Sequence, residues 1–71
     1  MEMIPVTSSN IAAIGYNEQD ATLTIQFIKE NAIYEYYDVP QYEYDALISA
    51  DSHGSYANKN IYKVYRQQRI A

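Results

Sequence analysis

The stretch TLTIQF, residues 22–27, has the clearest strand pattern in the chain, because its polar and apolar side chains alternate strictly. Successive side chains of an extended segment point to opposite faces, so Leu23, Ile25 and Phe27 share one face and the polar residues share the other. This pattern predicts a β-strand with one face packed on a core.

Two further strand patterns flank this segment, each separated from it by a turn. Before it, IAAIGY (11–16) predicts a strand and NEQDA (17–21) a hairpin turn, because asparagine and aspartate hydrogen-bond to their own backbone. After it, KENA (29–32) predicts a turn in which Asn31 is best suited to a left-handed conformation. IYEYYDV (33–39) then predicts a third strand, rich in aromatic and branched residues. The three strands form an antiparallel meander.

The hydrophobic period changes from that of a strand to that of a helix at Pro40, which fits the first turn of a helix. Tyr44, Leu47 and Ile48 follow at helical spacing and share one face. This spacing predicts an amphipathic helix over about residues 40–50, lying across the apolar face of the sheet.

A second helix and a less regular segment follow. Ser52 is suited to cap a short helix over HGSYANKN (53–60), with Gly54 at a tight entry. The period of IYKVYRQ (61–67) fits a last strand and an extended tail equally, so whether residues 62–71 form a strand or a flexible tail stays open. The predicted fold class is α+β: a small antiparallel β-meander of three strands, or four, packed against one amphipathic helix and a second short helix.

The composition is that of one small globular domain spanning residues 1–71. Apolar residues make up 48% of the chain and charged residues 20%. The chain has no cysteine and one histidine, so we expect neither a metal site nor a cofactor. No apolar run resembles a secretory signal or a membrane span, and we expect a cytoplasmic protein without a membrane partner.

Charge is divided unevenly along the chain. Residues 1–51 carry all nine acidic side chains against Lys29 alone, whereas residues 52–71 carry four basic residues and no acid. The basic residues are Lys59, Lys63, Arg66 and Arg69. Such asymmetry is typical of an end that contacts nucleic acid, but the basic segment would equally neutralise the acidic half within the fold.

The basic segment also contains aromatic, hydroxyl and amide side chains, which suit it to nucleic acid. Tyrosine rings stack on bases, amides hydrogen-bond to base edges, and cations contact phosphate. The segment is therefore the candidate contact surface for RNA or a nucleotide-like ligand. Its candidate residues are Ser52, His53, Tyr56, Asn58, Lys59, Tyr62, Lys63, Arg66 and Arg69. The alternative is structural: Tyr56 and Ile61 anchor the segment and the cations pair with acids of the same chain.

An enzymatic role has little support in the sequence. A nucleophile and its base must meet in space with a third orienting group, and adjacent residues such as Ser52 and His53 seldom do so. Gly15 and Gly54 are too far apart to form a phosphate-binding loop. We therefore expect a non-catalytic binding module.

A protein-interaction or self-associating adaptor is the alternative function. Tyrosine-rich patches are common at interfaces, and the acidic half of one copy could pair with the basic end of another. The net charge of −4 also makes tight, non-specific binding to a polyanion unfavourable.

Several stretches together resemble the KTSC domain, a short domain found alone in bacteria and bacterial viruses and at the C-terminus of some lysyl-tRNA synthetases. They are SSNIAAIGY (8–16), TLTIQF (22–27), YEYYDVP (34–40) and ADSHGSYANKNI (50–61). The resemblance implies a small α+β domain with an antiparallel sheet, and the attachment to a synthetase suggests RNA as a partner. The motif residues carried over by position are Tyr34, Tyr36, Ser52, Gly54, Tyr56, Asn58 and Ile61.

Two positions depart from the family pattern. Ala57 stands where the family often has a large aromatic residue, and Asn31 stands where a turn glycine is common. The first departure removes a ring that could stack on a base, and it weakens the expectation of nucleic-acid binding.

Overall fold

The computed structural model describes residues 2–71, which form a five-stranded antiparallel sheet and two helices. The strands are β1 (Ile4–Pro5), β2 (Ile11–Asn17), β3 (Thr22–Phe27), β4 (Ile33–Tyr36) and β5 (Gln67–Arg69), and the helices are α1 (Gln41–Ser49) and α2 (His53–Asn60). The order of the strands in the sheet is their order in the sequence. The predicted α+β class and the antiparallel meander are confirmed.

The register of β2 against β3 explains which side chains form the core. Ile14 lies opposite Ile25, so both point to the same side of the sheet. A register shift between Ile11 and Ala13 inserts one extra residue into β2 and places Ile11 opposite Phe27. Because of this bulge, Ile11 and Ile14 are both fully buried on one side of the sheet, although they are three residues apart.

Both helices lie close to their predicted positions. In α1, Leu47 is fully buried, and Tyr44 and Ile48 pack against the core from the same helical face. In α2, Ala57 is fully buried, as is Ile61 directly after the helix. These residues complete a core formed chiefly by Ile11, Ile14, Leu23, Ile25, Tyr36 and Val39.

The sheet has five strands, whereas the sequence predicted three, or four. The last strand, Gln67–Arg69, pairs with β4, so the strand alternative is confirmed and a flexible tail is not. It begins later than IYKVYRQ suggests, because the backbone N–H groups of Val64 and Tyr65 donate to the Ile61 carbonyl and continue the turn after α2. The short strand β1 was not predicted.

The turn between β3 and β4 is left-handed at two successive residues. Asn31 has a φ of 50°, as predicted, and Glu30 has a φ of 61°. Glutamate adopts this conformation at a cost of roughly 1–2 kcal/mol relative to the right-handed region. The turn Lys29–Asn31 is thus held by its surroundings and not by the preference of Glu30.

Neither helix of the described chain is long and apolar enough to cross a membrane. Residues 2–71 also contain no group of three histidine, cysteine or acidic side chains that could hold a metal ion.

Candidate functional site

The first residues of the predicted contact segment lie where the two helices meet. Ser52 accepts a hydrogen bond from the backbone N–H of Ser55 at 3.3 Å and so caps α2, as predicted. The Nδ1 atom of His53 lies 2.9 Å from the carbonyl oxygen of Leu47, and it donates to this oxygen because a carbonyl only accepts. The two side chains therefore stabilise α2 and its contact with the last turn of α1.

Tyr56 is tied to α1 by a carboxylate. Its hydroxyl donates to Oε1 of Glu43 at 2.7 Å, and the hydroxyl of Tyr65 donates to Oε2 of the same residue at 3.3 Å. The bond to Glu43, and after it burial, raises the pKa of Tyr56 to about 12. Burial is the main cause of the raised pKa of Tyr65. One side chain of α1 thus fixes both α2 and the turn that follows it.

Two of the four cations in the segment contact acids of the same chain. Nη2 of Arg66 lies 3.4 Å from Asp38, and its guanidinium lies 5.3 Å from the centre of the Tyr37 ring. Nη2 of Arg69 lies 3.5 Å from Glu30. Both contacts agree with the alternative interpretation of the sequence, in which the cations pair with acids of the same chain. Because the side chains are largely exposed, each pair contributes only about 0–1 kcal/mol to stability.

Three other predicted residues, Asn58, Lys59 and Lys63, are exposed to solvent. Lys59 and Lys63 form no ion pair with any residue in the described range 2–71. These three side chains are open to solvent, and they do not line the two cavities that contain Tyr62 or Arg69.

Tyr62 and Arg69 lie in a groove on the helix side of the sheet. The groove consists of two adjoining cavities of about 480 and 410 Å³, whose walls share Phe27, Tyr34 and Arg69. We call it the aromatic groove and define it by Phe27, Tyr34, Tyr36, Tyr62 and Arg69. The larger cavity also has Asn10, Lys29 and Glu30 in its wall.

The strand register places these side chains together. Tyr34 lies opposite both Ile25 on β3 and Arg69 on β5, so all three point to the helix side of the sheet. Tyr36 lies two residues further along β4 and faces the same way. The aromatic groove is therefore the part of this sheet face between the helices and the last strand.

The rings of the groove are in mutual contact. Phe27 and Tyr34 meet edge to face with centroids 5.7 Å apart, and Tyr34 and Tyr36 are stacked at 6.4 Å. Tyr62 approaches Phe27 to 5.8 Å and Tyr36 to 6.1 Å. Aromatic pairs at such separations attract one another beyond the effect of burial alone. The four rings form a continuous wall, and Arg69 lines both cavities together with Phe27 and Tyr34.

The hydroxyl of Tyr62 is buried and has no hydrogen-bond partner within residues 2–71. Burial also raises the pKa of this tyrosine, because the tyrosinate form would lose its solvation. A buried polar group without a partner costs about 1–3 kcal/mol. The ring of Tyr62 therefore stabilises the cluster while its hydroxyl destabilises it.

The comparison with known proteins identifies the family. A sequence profile of the KTSC domain matches residues 7–65. The chain belongs to the KTSC domain family. The crystal structure of a KTSC domain protein from Yersinia pestis is similar to this KTSC domain, with a TM-score of 0.94, 31% sequence identity and coverage of 99% of this chain and 97% of that one.

Two other relatives of this KTSC domain come from different bacteria. A protein of Tsukamurella paurometabola is 41% identical over 56 residues, which cover 79% of this chain and 82% of the relative. A protein of Stutzerimonas stutzeri is 33% identical over 72 residues and is covered over 99% of its length, as is this chain. The resemblance inferred from the motifs is thereby confirmed.

The structure changes the interpretation of Ala57, one of the two departures from the family pattern. Ala57 is fully buried in the core, so a larger ring there would pack inward and would not stack on a base. Ala57 thus contributes to the core and not to the exposed surface of α2. The aromatic groove also contains residues that were not among the predicted contact residues: Phe27, Lys29, Glu30, Tyr34 and Tyr36. The alternation in β3 nonetheless places Phe27 on the same side as Ile25.

Replacing Tyr62 by phenylalanine tests the cost of the buried hydroxyl. We expect Tyr62→Phe to raise the free energy of unfolding by about 1 kcal/mol, because it removes a polar group without a partner and keeps the ring. Urea denaturation followed by circular dichroism measures the change. Tyr16→Phe is the control, since the Tyr16 hydroxyl donates to the Val39 carbonyl at 2.6 Å and its loss should lower stability by a similar amount. A large loss of stability in Tyr62→Phe would contradict the conclusion that the Tyr62 hydroxyl has no hydrogen-bond partner within residues 2–71.

The two hydrogen bonds that Glu43 accepts from Tyr56 and Tyr65, here called the Glu43 clamp, predict a specific response to alkaline pH. The pKa of Tyr56 is raised from 10.0 to about 12 in the folded protein, so this tyrosine stabilises the fold below pH 10 and loses that contribution as the pH rises through 12. In Glu43→Gln the part of the tyrosinate absorbance that comes from Tyr56 should appear at lower pH than in the wild type. Asp51→Asn removes one exposed acid and is the control for charge. Identical titration curves for Glu43→Gln and the wild type would contradict the clamp.

Proposed function

We propose that this KTSC domain is a non-catalytic binding module that takes single-stranded RNA or a nucleotide-like ligand in the aromatic groove. The observation that carries the proposal is the continuity of the groove: four aromatic rings line two adjoining cavities, and Arg69 belongs to both. Rings beside a guanidinium match a ligand in which a planar base is joined to a phosphate.

The size of the groove supports a small planar ligand. Its two cavities, of about 480 and 410 Å³, fall within the roughly 300–1,000 Å³ of typical small-molecule sites. Stacking of a base on an aromatic side chain contributes about 1–3 kcal/mol, and it tolerates every base because each has a π-face. The groove therefore suits contact with one or two nucleotides and does not require a defined sequence.

The charges around the groove favour a weak, salt-dependent contact. Lys29 and Arg69 line the larger cavity, and Tyr62 is followed directly by the exposed Lys63. Each phosphate that a cation neutralises releases counterions from the nucleic acid, which makes binding depend on salt. With a net charge of −4 on the whole chain, only these local cations favour a polyanion.

Self-association is the second candidate function, and the last strand favours it. The three residues of β5 are all exposed, and β5 is the final strand of the sheet within residues 2–71, so its outer edge is unpaired. An unpaired edge offers backbone N–H and C=O groups to another strand. The other outer strand, β1, contains Pro5, which cannot donate to a neighbour. A second copy would therefore pair through β5.

Titration of a fluorescently labelled oligoadenylate at low and high salt tests RNA binding. We expect binding at low salt, weaker binding at high salt, and a loss of roughly tenfold in affinity for Tyr34→Ala, because one stacking ring is removed. Tyr42→Ala is the matched control: Tyr42 is 72% exposed on α1 and outside the groove. Circular dichroism of each variant confirms that it is folded.

The outcomes separate the two candidates. No binding at low salt, or equal affinity of Tyr34→Ala and Tyr42→Ala, would remove the groove as an RNA site. Native mass spectrometry of the same samples reports the number of copies and any bound RNA. A homodimer that forms without RNA and persists in Tyr34→Ala would favour self-association instead.

A further inference from the structure

Arg69 is the cation of the C-terminal segment that is placed to meet a phosphate beside the rings of the aromatic groove. It lies directly opposite Tyr34 in the register of β4 and β5, and it belongs to the walls of both cavities. A ligand with its base on the rings would therefore bring a linked phosphate to this guanidinium. Among the cations of the C-terminal segment, Arg69 is the one that lines the groove in the described chain.

In the free protein, Arg69 is held by two contacts. Its Nε donates to the main-chain oxygen of Ala71 at 2.9 Å, and its Nη2 lies 3.5 Å from Oε1 of Glu30. A guanidinium has five N–H donors in a planar fork, and these contacts use only part of them. The arginine is thus oriented by its own chain but retains donors for a second anion.

The contact between Arg69 and Glu30 is weak enough to exchange. Strong charge-assisted bonds between a cation and a carboxylate measure about 2.7–2.9 Å, whereas this pair is separated by 3.5 Å. The side chains of Arg69 and Glu30 are 49% and 63% exposed, so water screens the attraction. A phosphate that offers two oxygens to the guanidinium fork would form the better bond.

Glu30 stands at the wall of the larger cavity because of its unusual backbone. It takes a φ of 61° and a ψ of 10° within the turn Lys29–Asn31, a conformation that glycine adopts without cost. This turn puts one acid and one cation, Glu30 and Lys29, in the same wall as Arg69. The acid neutralises the site while it is empty, and its displacement would leave two cations facing the ligand.

We propose that the carboxylate of Glu30 occupies the phosphate position of the aromatic groove and that a nucleotide phosphate displaces it from Arg69. This inference rests on the proposed function and adds to it the orientation of the ligand: the base lies on the partly exposed rings of Phe27 and Tyr34, and the phosphate lies at Arg69 beside Lys29. The same chemistry is offered by a free nucleoside monophosphate and by a phosphate within an RNA strand.

Calorimetric titration with adenosine monophosphate and with adenosine tests the displacement. We expect Glu30→Gln to bind adenosine monophosphate roughly two- to fivefold more tightly than the wild type, because it no longer competes for Arg69. The affinity for adenosine should not change, since adenosine has no phosphate. Arg69→Gln should weaken binding of the monophosphate and leave that of adenosine unchanged. The labelled oligoadenylate then shows whether a strand gains affinity in Glu30→Gln as the free nucleotide does.

Two further variants make the test specific. Glu30→Gly also removes the carboxylate and fits the left-handed backbone, so it should gain affinity while remaining folded. Glu18→Gln removes an exposed acid from the turn after β2, outside the aromatic groove, and should leave the affinity unchanged. A gain shared by Glu18→Gln would show that net charge alone is responsible, and it would overturn the inference.

The remaining outcomes distinguish this inference from the proposed function. Suppose that adenosine and the monophosphate bind with the same affinity, that this affinity is the same for the wild type and for Glu30→Gln, and that Tyr34→Ala weakens the binding of both ligands. The groove is then a base site, and the proposed phosphate position is wrong. If no variant binds adenosine, the monophosphate or the oligoadenylate, both proposals fail together.

Discussion

The packing of α2 on the sheet determines both the contact between the two helices and the position of the Tyr62 ring in the aromatic groove. The small, fully buried Ala57 lets the helix approach the core, and Ile61 extends the same contact beyond the end of the helix. The backbone N–H of Tyr62 donates to the Ala57 carbonyl at 2.9 Å, so the position of the helix determines where this ring lies. Through its first turn the same helix binds α1, and through Tyr62 it completes the aromatic groove.

The charge asymmetry of the sequence has two structural consequences. Part of the positive charge is neutralised within the fold, by Asp38 and Glu30, in pairs too exposed to contribute much stability. The remainder lies on exposed side chains of α2 and the following turn. We therefore expect no general binding of polyanions. In the proposed function, selectivity comes from the aromatic groove and from the exchange of the weak pair between Arg69 and Glu30 for a stronger bond between Arg69 and a phosphate.

Where a segment has a regular local pattern of residues, that pattern was sufficient to predict its secondary structure. The alternation in TLTIQF correctly predicts where β3 begins and ends. The capping residue Ser52 and the residues after it correctly predict where α2 begins and ends. The strand Gln67–Arg69 has no apolar face, and it exists because β4 offers it a partner. Glu30 is left-handed against its own preference because the turn imposes it. The aromatic groove lies where the two helices no longer cover the sheet. Its position follows from how the helices pack on the sheet, so the pattern of residues within a single segment does not predict it.

Mapping the amide resonances of the isotope-labelled protein during titration with oligoadenylate tests the proposal that the aromatic groove binds RNA. We expect the perturbed residues to surround the aromatic groove, with the largest changes at Phe27, Tyr34, Tyr62 and Arg69. The opposite end of the sheet, where Tyr16 stacks on Tyr44 at 5.1 Å, should remain unchanged. Perturbations confined to the exposed cations of α2, or no perturbation at all, would contradict it.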